Sequence, residues 1–490
     1  MSLLSDLAFE ARIAARSVAE FVTRSGVRLG VTGLSRSGKT VFITALVHNL
    51  IKGGRLPVLR VHAEGRLARA RIEPQPDDAV PRFAYEDHLR ALTGEGTGPQ
   101  DRRWPQSTRR ISELRLTLEF ERRGAWRSGP AAFSIDIVDY PGEWLLDLPL
   151  MAKSYAQWSR ETIAASATAA RAPLAAGWRG LLVTLAPHAP ASEEVVRQAA
   201  ARFTDYLKAC REDRYALSTL PPGRFLMPGD LEGTPALTFA PLILDAASEA
   251  QPGTLVAMME RRYEAYKSHV VRPFFRDHFA RLDRQIVLVD ALAALNSGPA
   301  AVRDLETALA DVLLAFRAGR SSLLSTIFAP RIDRILFAAT KADHLHHTSH
   351  DRLEAILRLL TERAIKRAEG VGAAVDVIAL AAVRTTREAS VRHGNDKLDA
   401  IVGTPLAGES VGGEIFDGKS EIAVFPGELP ADPKAVFRGE AIAVPEGEAD
   451  FRFVRFRPPP AQTGPDGHAL PLPHIRLDRA LEFLLGDKLS

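Results

Sequence analysis

The chain has 490 residues, of which 46% are hydrophobic, and its formal net charge at pH 7 is only +3. This length suits two to four domains, or one elaborated domain, with a substantial apolar core, and the slight, dispersed basic excess does not indicate nucleic-acid binding. A single cysteine, Cys210, excludes an internal disulfide and a CxxC metal clip, and is typical of proteins from a reducing compartment.

The first residues predict neither a signal peptide nor a membrane span. Asp6 and Glu10 fall where a signal peptide would be apolar, and no apolar run approaches the ~18–20 residues that cross a bilayer. We therefore expect a cytoplasmic protein without a transmembrane segment. Residues 1–24 are predicted to form an amphipathic helix docked on the chain. A helix bound to a membrane or a partner is the alternative, which its mixed polar face disfavours.

A phosphate-binding loop is the clearest motif of the chain. Alternating apolar residues at Val27, Leu29 and Val31 predict a short buried strand, and a helical pattern begins shortly afterwards. The turn between them reads GLSRSGKT, the G-x-x-x-x-G-K-T loop in its strand–turn–helix setting. Its glycines let successive backbone N–H groups face one anion at a helix N-terminus. The predicted phosphate-binding residues are Gly33, Ser35, Arg36, Ser37, Gly38, Lys39, Thr40, Val41 and, further along the chain, Gly142.

Two side chains of this loop have specific roles in such sites. Lys39 is expected to reach the β- and γ-phosphates, and the Thr40 hydroxyl is expected to bind Mg²⁺. The alternative is an ordinary strand-to-helix glycine turn, which the apolar strand and helix patterns on its two sides disfavour.

The segment after the loop carries a second motif at the end of a strand. Residues 51–105 are rich in turn formers and predict an irregular insertion with short helices at 64–72 and 82–93, whereas residues 112–139 predict a β-hairpin. Its buried second strand ends at Asp139, the first residue of the sequence DYPG. Asp139 can hold Mg²⁺ through water and Gly142 can donate its N–H to the γ-phosphate. The alternatives are an Asp139 that caps a turn, and Asp136, which points to the other face of the strand.

The remaining chain divides by composition and periodicity. Residues 145–282 predict a mainly helical insertion, with helices at 148–172, 192–211 and 254–282 and a strand at 178–186. Buried strands at 285–291, 332–340 and 375–380 predict that residues 25–144 and 283–400 form one nucleotide-binding core. Residues 401–490 predict a β-rich segment with short antiparallel strands at 412–425, 434–444 and 450–457 and a closing helix at 475–487.

A third motif, Thr340-Lys341-Ala342-Asp343, follows the strand predicted at 332–340. A carboxylate in this place can accept hydrogen bonds from N1 and N2 of guanine, for which adenine has no matching donors, while the stem of Lys341 packs over the base. After the last strand, the backbone of Ala382, Val383 and Arg384 can read the guanine O6. The tetrapeptide alone is common, and a loop ion pair is the alternative.

A group of histidines follows this motif. His346, His350 and Glu354 would share one face of a helix and could bind a metal ion. Their position directly after the proposed base-reading Asp343 favours a polar loop instead, which is our expectation.

Taken in order, GLSRSGKT, DYPG, TKAD and AAVR resemble the motifs of translation-factor-class P-loop GTPases. The stretches WPQST, DIVDYPGEWLLDLP and LFAATKADH are similar to the YcjX family of bacterial stress-associated GTPases, and the resemblance covers most of residues 10–487. It implies an α/β fold with a Ras-like P-loop core, a mainly parallel sheet and a large helical insertion. It also implies that Ser107 or Thr108 supplies a switch I hydroxyl to Mg²⁺, and that the protein is linked to an inner-membrane partner.

The chain departs from small Ras-like GTPases at one position that is catalytic in those proteins. Those proteins carry a water-orienting glutamine directly after D-x-x-G, where this chain has Glu143, and an anion beside the γ-phosphate is unfavourable. Arg36 resembles the loop arginine of guanylate-binding and atlastin-type large GTPases, which implies an internal arginine finger ordered by a homodimer. We predict Lys39, Arg36 and Glu143 as catalytic residues; an Arg36 that faces solvent or pairs with Glu143 is the alternative.

These observations predict a Mg²⁺-dependent switch protein that binds GTP or GDP, hydrolyses GTP and acts through a partner or through self-assembly. A GTP-dependent scaffold with negligible hydrolysis is the second hypothesis. An ATP-dependent enzyme is the third, and the TKAD motif disfavours it.

Overall fold

The computed structural model describes residues 26–34, 36–94, 101–106, 108–123, 129–212, 214–244, 250–314, 332–370, 372–393, 396–411, 413–438, 453–465 and 469–490. The helix expected over residues 1–24 lies outside these ranges, as do two predicted site residues, Ser35 and Ser107.

A seven-stranded sheet forms the centre of the described part of the chain, with the order β2-β3-β4-β1-β5-β6-β7. The pairs β4-β1, β1-β5, β5-β6 and β6-β7 are parallel, and the edge pairs β2-β3 and β3-β4 are antiparallel. The strands are β1 Gly26–Gly33, β2 Leu67–Glu73, β3 Ser112–Arg122, β4 Gly129–Asp139, β5 Arg284–Val289, β6 Arg334–Ala339 and β7 Ala374–Ala379. The expected α/β class with a mainly parallel sheet is confirmed, and so is the hairpin, which is β3-β4.

The helices cover both faces of this sheet and build the insertion. They are α1 Lys39–Ile51, α2 Arg60–Ala63, α3 Tyr85–Thr93, α4 Tyr155–Ser166, α5 Ala172–Leu182, α6 Glu193–Cys210, α7 Gly223–Leu226, α8 Leu255–Tyr266, α9 Arg272–Asp277, α10 Ala291–Asn296, α11 Pro299–Leu314, α12 His350–Leu360, α13 Glu362–Gly370 and α14 Leu477–Leu485. A 3₁₀ helix spans Gly142–Ala152, and a π-helical turn, Lys267–Val271, joins α8 to α9. Within the described ranges, no helix combines the length and apolarity needed to cross a bilayer.

The central strands are buried on both faces, as the helices on either side of a parallel sheet require. One face packs against α1 and against the closing helix α14, whose Leu477, Leu481 and Leu484 are fully buried in the same cluster as Phe42 of α1. The other face packs against α10, α11 and α12. The closing helix expected at 475–487 is therefore confirmed, and it covers the sheet of the core rather than the C-terminal strands.

Two secondary-structure expectations for residues 51–282 are wrong. The stretch 178–186 is not a strand, because Trp178 and Leu182 lie on the buried face of α5, together with Ala175. A short apolar run cannot distinguish a strand from a buried helix. The stretch 64–72 is not a helix but contains most of the edge strand β2. Residues 68–73, ARARIE, alternate apolar and charged side chains as a half-buried strand does, and the charged side chains are typical of protected sheet edges. Residues 51–105 therefore contribute a strand to the central sheet.

The C-terminal segment contains a small antiparallel sheet. Its three strands are β8 Arg387–His393, β9 Asp396–Gly403 and β12 Ile422–Val424, in the order β12-β9-β8, and a short pair, β10 Ser410–Val411 and β11 Glu414–Ile415, lies beside them in sequence. β9 crosses residue 400, where the sequence placed a domain boundary. The strand expected at 434–444 is wrong in its described part, because residues 433–437 form a 3₁₀ helix that begins at a proline.

Candidate nucleotide-binding site

The phosphate loop joins the buried end of β1 to the first turn of α1. Gly38 is left-handed, with φ 88°, and α1 begins at Lys39. Lys39 is buried, and its ammonium group donates hydrogen bonds to the carbonyl oxygens of Gly33 (3.0 Å) and Leu34 (3.4 Å). Burial lowers the pKa of Lys39, and the nearby carboxylates of Glu143 and Asp139 oppose that effect. The ammonium group of Lys39 therefore lies over the loop backbone, beside the place where a bound phosphate would lie.

Two hydroxyls and a carboxylate converge beside this lysine. The Oγ1 atoms of Thr40 and Thr108 are 3.2 Å apart, and Thr108 donates to Oδ2 of Asp139 at 2.7 Å. The other carboxylate oxygen, Oδ1, is buried and has no hydrogen-bond partner among the described residues. Burial raises the pKa of Asp139 to about 6, against the charge of Lys39. A buried oxygen without a partner, next to two hydroxyls, fits the hard oxygen ligands that Mg²⁺ requires.

Asp136, the alternative on the same strand, lies elsewhere. Its carboxylate accepts two hydrogen bonds from Arg115 of β3, at 2.6 and 2.8 Å. This bidentate pair lies on the opposite face of β4 from Asp139, as the alternation of side chains along a strand requires.

Gly142 lies against the phosphate loop more closely than any side chain would allow. A Cβ atom added at Gly142 would stand 2.0 Å from the carbonyl oxygen of Gly33 and 2.8 Å from Nζ of Lys39. Real contacts of this kind are longer than 3.0 Å. The start of the 3₁₀ helix is therefore fixed on the loop by backbone contact.

The residues that follow Gly142 are held by the helical insertion. The buried carboxylate of Glu143 forms an ion pair with Arg211, directly after α6. The backbone of Glu143 also packs on Gly223, where an added Cβ would stand 1.8 Å from the Glu143 carbonyl oxygen. A carboxylate alone would repel a phosphate bound nearby. The positive charge of Arg211 offsets the negative charge of Glu143.

Asp147 provides a second connection to the insertion. It is buried, and its carboxylate accepts hydrogen bonds from the N–H of Gly223 and the hydroxyl of Tyr266, both at 2.6 Å. Burial raises the pKa of Asp147 to about 7, although both hydrogen bonds favour the charged form. The guanidinium of Arg224 lies 3.1 Å above the ring of Trp144 in the same junction.

The base-reading motif lies at the other end of the site. Asp343 is buried in a 3₁₀ turn, and its Oδ2 accepts hydrogen bonds from the N–H (2.8 Å) and hydroxyl (2.5 Å) of Thr385. These bonds orient the carboxylate. Lys341 has a left-handed backbone, φ 61°, and its ammonium group pairs with Asp290 after β5. Sequence reasoning missed Thr385, which directly follows the predicted base-reading residues Ala382 to Arg384, and Asp290, which it had placed inside the strand at 285–291 although β5 ends at Val289.

One cavity of about 290 Å³ joins the two ends of the site. From the phosphate end it is lined by Arg36, Ser37, Gly38, Lys39, Thr40, Val41 and Thr108, and from the base end by Lys341, Asp343, Ala382 and Val383. Arg384 does not line this cavity, because its backbone N–H donates to the carbonyl of Pro473 at 2.7 Å. Glu143 lines the cavity where it approaches the insertion.

A larger cavity of about 460 Å³ lies on the insertion side of the loop. It shares Arg36, Glu143 and Lys341 with the first cavity and extends to Arg211. Lys39, Thr40 and Asp343 do not line it. The smaller cavity is therefore the one that matches the nucleotide motifs. Arg36 has a left-handed backbone, φ 62°, and lies between the two cavities.

The histidines after the base motif do not assemble as the metal hypothesis requires. His350 bonds to the carbonyl oxygen of Ala342 at 2.8 Å, and Glu354 accepts the N–H of Ala379 at 2.9 Å. His346 instead lies near His347 and Glu388, with ligand atoms within 4.8 Å of one another. The set His346, His350 and Glu354 is therefore not a metal site.

Comparison with known proteins agrees with this geometry. The family described as "YcjX-like family, DUF463" matches residues 27–489. The chain belongs to this family. Similar proteins include "Ras-like GTPase YcjX" of Escherichia coli (strain K12), 40% identical over 475 residues that cover 94% of this chain and 96% of the relative. "Ras-like GTPase YcjX" of Shewanella oneidensis is 36% identical over 491 residues, which cover 95% of each chain. The resemblance drawn from the motifs is thus confirmed.

Substitution of Gly142 tests the backbone contact with the loop. We expect Gly142→Ala to lower the free energy of unfolding by about 1–3 kcal/mol, because the new methyl group must displace the loop backbone. Thermal and urea unfolding measure this loss. Gly177→Ala is the matched control, since its added Cβ meets nothing within 4 Å on α5 and alanine favours a helix. Equal stability of the two variants would contradict the contact.

Substitution of Asp147 tests the junction with the insertion. Because the folded pKa, about 7, exceeds the ordinary value of 3.8, the folded chain binds this proton more readily than the unfolded chain, and the wild type loses stability as pH rises from about 4 to about 7. Asn cannot ionise. We therefore expect the melting temperature of Asp147→Asn, relative to wild type, to increase over this pH range and to level off above it.

Thermal unfolding between pH 5 and pH 8.5 measures this difference. Asp87→Asn, at an exposed position on α3, controls for the substitution itself. A melting-temperature difference for Asp147→Asn that stays constant across the range would contradict the buried, proton-binding carboxyl.

Proposed function

We propose that this chain is a magnesium-dependent GTPase that binds its guanine nucleotide in the cavity between the phosphate loop and the Asp343 loop. The observation that carries the proposal is that one cavity is lined both by Lys39 and Thr40 and by Asp343. A site with a cation and loop amides at one end and a buried, oriented carboxylate at the other suits a guanosine polyphosphate.

The phosphate end would hold the charged half of the nucleotide. Backbone amides of the loop face the β-phosphate, and the ammonium group of Lys39 bridges the β- and γ-phosphates. Thr40, Thr108 and Asp139 would hold Mg²⁺, which offsets phosphate charge when bound. Ser107 stays the alternative switch I ligand. The N–H of Gly142, which lies beside the loop, would donate to the γ-phosphate.

The base end would select guanine. Oδ2 of Asp343 is engaged by Thr385, which orients the carboxyl group so that it accepts the N1 and N2 protons of guanine. The stem of Lys341 covers the base while its ammonium group remains on Asp290. The backbone of Ala382 and Val383, which line the cavity, reads O6. Arg384 contributes less than the sequence suggested, because its N–H is already bonded to Pro473.

Hydrolysis requires that water attack the γ-phosphate while charge moves toward the bridging oxygen. Lys39 and Arg36 are the cations that stabilise this charge. Glu143 accepts a proton of the attacking water, and its ion pair with Arg211 keeps the carboxylate in place and neutralised in the absence of substrate. Arg36 acts as the internal arginine finger, ordered by a second copy of the chain.

The same ion pair supports a second candidate function. A Glu143 that stays bound to Arg211 cannot orient water, and the chain would then be a GTP-dependent scaffold with negligible intrinsic hydrolysis. Single-turnover hydrolysis by the isolated protein separates the two functions. The cytoplasmic location, the inner-membrane partner and the association with stress stay predictions in either case.

Replacement of Asp343 tests the base-reading proposal. In Asp343→Asn, the amide oxygen can still accept from Thr385, and the amide nitrogen then faces the base, where it can donate to the 2-oxo group of xanthine. We expect weaker GTP binding, by about 1.5–3 kcal/mol for each hydrogen bond lost to the charged group, together with new binding of XTP. Competition of GTP and XTP for a fluorescent nucleotide measures both.

Asp376→Asn is the matched control, because Asp376 lies on the neighbouring strand β7 and pairs with Arg479. That control should keep the wild-type preference for GTP over XTP. An Asp343→Asn variant with the same preference would reject Asp343 as the residue that reads the base.

A further inference from the structure

The side of the nucleotide cavity that faces away from the β-sheet core is built by the C-terminal segment. Leu406, Arg455 and Phe456, together called the C-terminal wall, line the same cavity as Lys39 and Asp343. Trp104, which precedes Thr108 by four positions, lines it as well. None of these four residues belongs to the motifs that identify the site.

Backbone hydrogen bonds and apolar packing hold the C-terminal wall in place. Leu406 donates its N–H to the carbonyl oxygen of Arg455, and Arg457 donates to that of Thr404, both at 2.8 Å. Phe456 is 1% exposed and packs in an apolar cluster of the small antiparallel sheet, which also contains Ile401, Phe416, Val424 and Val454. The wall is therefore a pair of hydrogen-bonded segments, joined by the isolated bridge between Pro405 and Phe456, that packs on the small antiparallel sheet.

Trp104 connects this wall to the motifs of the core. Its indole N–H donates a 2.8 Å hydrogen bond to the carbonyl oxygen of Phe456. Its ring packs in a small apolar cluster with Ala45 of α1 and with Val383 of the base-reading loop. Phe456 in turn meets His344, the residue after Asp343, in an edge-to-face contact with ring centroids 5.4 Å apart.

We propose that Trp104 and the C-terminal wall are nucleotide-binding residues, which enclose the guanosine half and set its rate of release. The inference rests on the proposed function. Asp343 would fix the edge of the base, and Trp104 packs beside Val383 of the neighbouring loop. The base plane is therefore expected to extend toward the half-buried Trp104 ring, while Phe456, whose ring is buried, supports Trp104 from behind. An aromatic surface stabilises a planar base by contact, and the Trp104–Phe456 hydrogen bond holds the Trp104 ring at the cavity, so loss of this bond is expected to speed the release of guanosine.

This arrangement also joins the base end to the phosphate end. Trp104 and Thr108 belong to one short stretch of chain, and Thr108 bonds to Asp139 in the metal-binding group. Movement of Trp104 away from Phe456 therefore pulls on the segment that carries Thr108. Release of the base and loosening of the metal ligands become parts of one motion.

Trp104→Phe in the full-length protein tests the inference. The variant keeps an aromatic ring and removes the N–H that bonds to Phe456, so folding is preserved. We expect the dissociation of fluorescent mant-GDP, measured by stopped flow with excess GDP, to become about threefold to tenfold faster, as the loss of one hydrogen bond requires. Trp178→Phe is the control for the substitution itself, since Trp178 is buried in the insertion and does not line the cavity.

The outcomes separate this inference from the proposed function. Wild-type protein that does not bind mant-GDP would overturn both. An unchanged dissociation rate in Trp104→Phe, or an equal acceleration in Trp178→Phe, would overturn the inference alone, provided that wild type binds mant-GDP and Asp343→Asn alters base preference as expected.

Discussion

Backbone contact between Gly142 and the phosphate loop is the constraint on which the site depends. The loop after β1 and the turn after β4 emerge from adjacent parallel strands, and only the absence of a side chain at Gly142 lets the turn approach the Gly33 carbonyl and Lys39. This approach places Asp139 beside Thr40 and directs the following 3₁₀ helix into the insertion. A γ-phosphate in the loop would therefore meet a segment that is already in contact with it.

The 3₁₀ helix that begins at Gly142 also contacts the helical insertion through buried polar groups. Glu143 pairs with Arg211, and Asp147 bonds to Gly223 and Tyr266, so polar groups of the 3₁₀ helix are satisfied by residues 68 or more positions further along the chain. A displacement of Gly142 by nucleotide would be transmitted to the insertion through these buried bonds, because unpaired polar groups in such surroundings are costly. The insertion is thus well placed to respond to the nucleotide state.

Local motifs were predictable from the sequence, and long-range partners were not. The phosphate loop, the DYPG turn and TKAD each depend on a few neighbouring residues at the end of a strand. The structure brings the phosphate loop and TKAD to one cavity and sets the DYPG turn against the phosphate loop. Arg211 and the Trp104–Phe456 bond join residues that are distant in sequence, 352 positions apart in the second case, and no local pattern marks them. The errors at 64–72 and 178–186 differ in origin. The apolar run at 178–186 does not distinguish a strand from a buried helix, whereas the alternating residues 68–73 of β2 carried a strand signal that the helix prediction overlooked.

Base selectivity tests the central claim most directly, because the account requires one cavity to combine a phosphate cradle with a guanine-reading carboxylate. The measurement is displacement of mant-GDP from the wild-type protein by GTP and by ATP, with Mg²⁺ present. The account predicts that GTP displaces it at concentrations at least about 100-fold lower than ATP, since adenine cannot form the two hydrogen bonds to Asp343. Equal potency of GTP and ATP would contradict the account.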